Sequence, residues 1–332
     1  MLLIGNDKGG TITTARFADG RLERVADTEV GVGCSTFAIL GDLVYVASKE
    51  PAIGTYRLDR AAGTLAELHR RPIDDPLAYL AVATAPGGEP ILLASSYHGG
   101  WGASFALPDG VVGPELSRFH SRNIHSGIAV GENAYFASLG DDLIAQFRLT
   151  PEGVLEPLAE PIVTCPKGSG PRHLIVSGDG RSVYLLTEFT SEAIRFDRAP
   201  DGALTRAESA PAFDPDAGLS VSAYGLNPRE GHLMWGADLH FARGEEWLLC
   251  TERTEATIGA IRLDDGRLTN ELVITSTEDW PRGMTVTPDG EHAIALGEAS
   301  GAAALYYLEE DGTLTQLDRL ETGAGPNWVR FV

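Results

Sequence analysis

Arginines, carboxylates and histidines recur in this chain at nearly constant separations. Arg172 precedes Glu188, Asp238 precedes Arg253, Arg282 precedes Glu298 and His125 precedes Gly140-Asp141, each by 15 or 16 residues. His173 directly follows Arg172. Guanidinium groups grip carboxylates or phosphates bidentately and can hold a developing oxyanion. A carboxylate or a histidine beside them can take a proton from water. The set therefore suits an anionic small molecule. The competing reading is that the same ions tie neighbouring structural units together, because structural networks also gather ionisable groups.

A constant separation requires a repeated element to impose it. A tight turn followed by an apolar residue recurs seven times, marked by Gly20, Gly63, Gly110, Gly153, Gly202, Gly266 and Gly312. The steps between these glycines are 43, 47, 43, 49, 64 and 46 residues. Glycine supplies the positive φ of a hairpin, and the apolar residue two places on starts the inward face of the next strand. Alternating runs such as Leu43-Val44-Tyr45-Val46-Ala47 and turns such as Gly178-Asp179-Gly180 fill the intervals. About four short strands per repeat, seven times over, predict an all-β, seven-bladed β-propeller across residues 1–332. A chain of 332 residues exceeds the roughly 250–300 that one core serves, and a propeller answers that by dividing its core.

The ends predict how the ring closes. Asn327-Trp328-Val329-Arg330-Phe331-Val332 reads as an innermost strand with no continuation, and Met1–Asn6 as a second strand lacking its first. The C-terminal strand should complete the N-terminal blade. In each blade the innermost strand and its antiparallel neighbour place the start of one and the end of the other at the same channel mouth. The starts are Cys34-Ser35, Ala78-Tyr79, His125, Arg172-His173, Asp238, Arg282 and Asn327. The matching ends are Lys49-Glu50, Tyr97-His98, Gly140-Asp141, Glu188, Arg253, Glu298 and Asp7. The one long step adds material at about 211–236, including Tyr224, Arg229, His232 and Trp235. It precedes an innermost strand, so it belongs on that same face, as a lid or specificity loop or as a passive insertion.

Composition excludes several classes. The formal charge of −21 repels phosphate backbones, so no nucleic-acid partner is expected, and an anionic substrate needs a locally cationic pocket. No apolar run approaches a membrane span, and Met1–Asp7 has no basic flank of a signal peptide. Cys34, Cys165 and Cys250 show no metal-ligand spacing and read as reduced thiols, so a cytoplasmic protein with no metal or cofactor is expected. No G-x-S-x-G elbow supports a serine hydrolase, although His98-Gly99-Gly100-Trp101-Gly102 looks superficially like an oxyanion loop. Gly31-Val32-Gly33 lacks the third glycine of a dinucleotide fingerprint. The sequence leaves the oligomeric state open.

Four segments carry a resemblance. They are Gly170-Pro171-Arg172-His173 with Gly178-Asp179-Gly180 and Glu188, His125 with Leu139-Gly140-Asp141-Asp142, Ala237-Asp238-Leu239-His240 leading to Arg253, and Pro281-Arg282 with Pro288-Asp289-Gly290. In this order, over nearly the whole chain, they resemble the seven-bladed propeller lactonases, the family of 6-phosphogluconolactonases and carboxymuconate lactonizing enzymes. The resemblance implies a site of His125, Arg172, Glu188 and Arg253. His173, Asp238, Arg282 and Glu298 are expected to bind substrate beside them. It implies hydrolysis of a small anionic sugar-acid lactone, with Arg172 and Arg253 gripping the substrate and Glu188 or His125 activating water. Lactone formation or isomerisation of the carboxymuconate type is the first alternative, and a non-catalytic binding propeller the second.

Overall fold

A computed structural model describes residues 1–332. Its strands form seven antiparallel sheets of four, each sheet one blade of a propeller. Blade 1 takes Leu2–Asn6, Thr11–Ala18 and Arg21–Glu29 from the N-terminus and Pro326–Phe331 from the C-terminus. Leu2 faces Phe331 and Ile4 faces Val329 across that junction, so the C-terminal strand is the innermost one and closes the ring as expected. Blades 2 to 7 each run through four consecutive strands, beginning at Phe37–Leu40, Tyr79–Thr84, Ile124–Val130, Pro171–Val176, Gly236–Ala242 and Pro281–Val286.

Apolar burial explains why the repeats form a ring. Seven separate hydrophobic clusters each combine side chains of two neighbouring blades. One of them packs Leu2, Ile4 and Val329 of blade 1 against Ile294, Leu296 and Leu305 of blade 7. Each fully buried aliphatic side chain contributes roughly 1.5–3 kcal/mol. No blade covers both its faces alone, so stability depends on closure. The second strands are the most protected; Ser182–Thr187, for example, is buried at every position.

The recurring glycine turns join the third strand of a blade to its fourth, and five of them also tie blades together. Thr14 donates to the carbonyl of Gly63, Tyr45 to Gly110, Ser104 to Gly153, Tyr135 to Gly202 and Tyr184 to Gly266, in each case from the preceding blade. Gly110 shows why the position needs glycine. Its φ is 76° and a Cβ there would meet Leu43 Cδ1 at 2.3 Å.

The added material lies between Leu204–Pro211 and Gly236–Ala242 and holds a 3-10 turn at Pro215–Ala217 and one helical turn at Pro228–Gly231. It is anchored to three blades. Ser222 donates its N–H to the carbonyl of Phe189 (2.9 Å), Thr254 Oγ1 donates to the carbonyl of Leu233 (2.6 Å), and Arg229 pairs with Asp279 (2.8 Å). No helix is long and apolar enough to cross a membrane.

Candidate active site

The inner strands begin with a shared irregularity that aims the charged residues. The ladder between first and second strands skips His125 in blade 4, Arg172 in blade 5, Arg282 in blade 7 and Asn327 in blade 1. In blade 6 it skips Ala237 and Asp238. Such bulges leave a residue unpaired and turn its side chain out of the sheet alternation. The second strands end just before Asp7, Lys49, Tyr97, Glu188, Arg253 and Glu298.

These two sets meet in a cavity of about 500 Å³. Its charged lining is Lys49, Arg172, Arg253 and Arg282 against Asp7 and Glu188, with His125, His98, Tyr97, Ser35 and Trp235 completing the polar wall. Four cations facing two carboxylates make a locally positive pocket in a chain of formal charge −21. Lys49 has no carboxylate within ion-pair distance, whereas Arg282 pairs with Glu298 (3.0 Å). Asp7 stays in the cavity with its carboxyl pushed above the ordinary range by burial, against the pull of Arg282.

Glu188 is the hub of the cationic wall. Its Oε2 accepts from Arg172 Nη1 and lies 3.3 Å from Arg253 Nη2. Its Oε1 accepts from the Trp235 indole Nε1 at 3.1 Å. Burial pushes this carboxyl up, but Arg172 and Arg253 outweigh it and hold the group at about 2. Backbone carbonyls fix the guanidiniums: Arg172 Nε donates to Ala237 (2.9 Å) and Arg253 Nη2 to Gly236 (2.9 Å).

His125 is the opposite case. It is buried, and neither ring nitrogen meets a hydrogen-bond partner in the protein; Nδ1 is wholly enclosed. Burial first, and then the charges of Arg172, drive its pKa well below the usual imidazole range. At neutral pH it is an uncharged base with free lone-pair capacity.

His173 and Asp238 do not line this cavity. The His173 side chain turns deeper into the channel, where Nδ1 meets Asp238 Oδ1 at 2.9 Å. Asp238 also accepts from the N–H of Leu239 and Met284, both at 3.1 Å, and approaches His240. The pair faces a second cavity of about 310 Å³ with Tyr79, His240 and Arg330. Burial pushes His173 down to about 4, against the pull of Asp238, so it is neutral beside a charged carboxylate. The rings of His173 and His125 touch edge-on, with centroids 5.0 Å apart. Glu298 likewise stays outside the lining and holds Arg282 and Lys8, the latter at 3.2 Å.

Trp235 has no counterpart in the charge pattern. Its only sequence signal is its place at the end of the long step, immediately before an inner strand. The one cluster with metal-ligand geometry, Asp289, Glu291 and His292, is at the turn between the first two strands of blade 7, the opposite end from the cavity.

Comparison with known proteins places this architecture. A 6-phosphogluconolactonase of Serratia proteamaculans is 26% identical over 325 residues, covering 94% of this chain and 92% of that protein. One from Cronobacter sakazakii is 28% identical over 284 residues, covering 82% and 79% respectively. Among solved structures, a Lactobacillus plantarum protein superposes with a TM-score of 0.86 at 21% identity, covering 100% of this chain and 98% of that one. The periplasmic gluconolactonase PpgL of Pseudomonas aeruginosa superposes with a TM-score of 0.83 at 22% identity and the same coverage. The sequence model described as "Lactonase, 7-bladed beta-propeller" matches residues 2–331, and the chain belongs to that family.

Proposed function

We propose that the 500 Å³ cavity hydrolyses a sugar-acid lactone of the 6-phosphogluconolactone class. The observation that carries this reading is the excess of cations over carboxylates in that cavity, set within a strongly acidic protein. A negative field over the whole surface disfavours anionic ligands except where local charge reverses it. The curated relatives named 6-phosphogluconolactonase point to the same substrate class.

In this reading Arg172 and Arg253 face the lactone carbonyl and stabilise the oxyanion formed on attack. His125 takes the proton from the attacking water and returns it to the ring oxygen as the C–O bond breaks. Glu188 is the counter-ion that keeps the two guanidiniums together, because both of its oxygens are already occupied. Burial is the larger cause of the His125 depression, but a bound anion offsets the part that comes from the arginines' positive field and so makes the imidazole a better base. Arg282 and Lys49 are left for a phosphate or carboxylate on the far end of the substrate. Reaction in oxygen-18 water tests the chemistry. Hydrolysis puts one solvent oxygen into the product carboxylate, whereas an isomerase or cyclase product without solvent oxygen would overturn the assignment.

A further inference from the structure

Trp235 touches Glu188 and Arg253 of the proposed site at three points and the neighbouring Glu252 at a fourth, each through a different part of the residue. The indole Nε1–H donates to Glu188 Oε1 at 3.1 Å. The Arg253 guanidinium lies over the indole, 3.9 Å from the ring centroid. The Trp235 carbonyl accepts from Arg253 Nε at 3.1 Å, and its N–H donates to the buried Glu252 carboxylate at 2.8 Å. Behind it the ring of Trp280 packs at 5.0 Å. The residue is the last of the inserted segment before Gly236–Ala242, and that segment is itself strapped to blades 5, 6 and 7.

We infer that Trp235 is a positioning residue, delivered by the insertion, that sets the orientation of the Glu188 carboxylate and through it the two arginines. A carboxylate flanked by two guanidiniums can rotate to meet either one bidentately, which would pull that arginine away from a substrate. The indole N–H occupies Oε1 and leaves only Oε2 for Arg172 and Arg253 to share. The guanidinium of Arg253 is meanwhile held over the ring by a cation–π contact, which strengthens where water is excluded. The insertion is thus part of the site rather than a passive loop. This inference rests on the lactonase reading only for its activity assay.

The test is a double-mutant cycle on kcat/KM for lactone opening, with Trp235→Phe and Glu188→Gln alone and together. Phenylalanine keeps a ring beneath Arg253 and the backbone contacts, and removes the N–H together with part of the indole's bulk and cation–π strength; the losses unrelated to Glu188 are common to both backgrounds of the cycle and cancel. A hydrogen bond to a charged group is worth a factor of about ten or more. The expected loss is about tenfold for Trp235→Phe in the natural background and at least about threefold smaller in the Glu188→Gln background, where an amide oxygen accepts the N–H without a charge to strengthen the bond. Equal losses in both backgrounds would mean that Trp235 does not act through Glu188, and would overturn the inference. A second readout does not need turnover: the Glu188 carboxyl, followed by carbon-13 NMR, should titrate at higher pH in Trp235→Phe than in the natural protein. If no lactone is opened, or Glu188→Gln leaves no rate to measure, that titration decides. An unmoved Glu188 overturns the inference, and a protein with a moved Glu188 but no lactone turnover overturns the lactonase reading alone.

Discussion

Replacing Glu188 with glutamine keeps the side-chain shape and removes the charge that neutralises Arg172 and Arg253. The cost follows from the site. Glu188 is held at about 2 against an ordinary value of 4.5, and about 1.4 kcal/mol per unit makes the ionised form worth on the order of 3 kcal/mol to the folded state. That agrees with the roughly 3–5 kcal/mol lost when one partner of a buried ion pair is removed. At about 2.1 cal/mol/K per residue, a chain of this length has an unfolding entropy near 0.7 kcal/mol/K, so Tm should fall by about 4–7 °C at pH 7. The sign with pH is fixed by the direction of the shift. A depressed carboxyl stabilises above its unfolded pKa and loses that stabilisation as pH falls through its folded one. The Tm gap between natural protein and Glu188→Gln should therefore be full at pH 7, narrow below about 4.5 and vanish towards 2. Differential scanning calorimetry from pH 7 to 3.5 measures it. A gap below about 1 °C at pH 7, or one that does not narrow with acid, would refute the claim that Glu188 is the buried counter-ion of both arginines.

Three further outcomes follow from the same geometry. Lys49→Ala and Arg282→Ala should raise KM for a phosphorylated lactone at least tenfold while changing KM for its unphosphorylated analogue less than about threefold; equal effects on both would remove these residues from the phosphate. His125→Asn should lower kcat about 10²–10⁴-fold with little change in Tm. Because its pKa is depressed in the free protein, kcat/KM of the natural enzyme should hold as pH falls through 6.5 and drop only at lower pH, and an acid limb of kcat/KM at or above 6.5 would contradict that. The thiols of Cys34 and Cys165 are pushed up to about 12 by burial, and Cys250 higher still, so an aromatic disulfide reagent at pH 8 should label none of the three until the protein unfolds.

How far the residues alone reveal this molecule depends on which physical effect sets each feature. The blades are legible because hairpin turns need glycine at fixed places, and the same glycines carry the inter-blade hydrogen bonds from Thr14, Tyr45, Ser104, Tyr135 and Tyr184. Strand pairing turns that repeat into the spacing of Arg172 with Glu188, which is why one mouth could be assembled from the sequence. The bulges at His125, Arg172 and Arg282 have no such signal, and they decide depth as well as direction. His173 and Asp238 are at the correct register positions yet turn to each other below the cavity, where a buried carboxylate finds two backbone N–H donors. Trp235 could be placed on the right face by the length of its insertion, but its grip on Glu188 and Arg253 depends on a loop path that no periodicity encodes.

The central claim is that the cationic cavity opens a sugar-acid lactone. The most direct measurement is a pH-indicator assay with freshly prepared 6-phosphoglucono-δ-lactone and glucono-δ-lactone, corrected for spontaneous opening, on the natural protein and on Arg172→Ala. The natural protein should accelerate opening of the phosphorylated lactone and, to a smaller degree, of the other, and Arg172→Ala should lose at least about a hundredfold in kcat/KM. Acceleration that survives in Arg172→Ala, or no acceleration of either lactone, would contradict it.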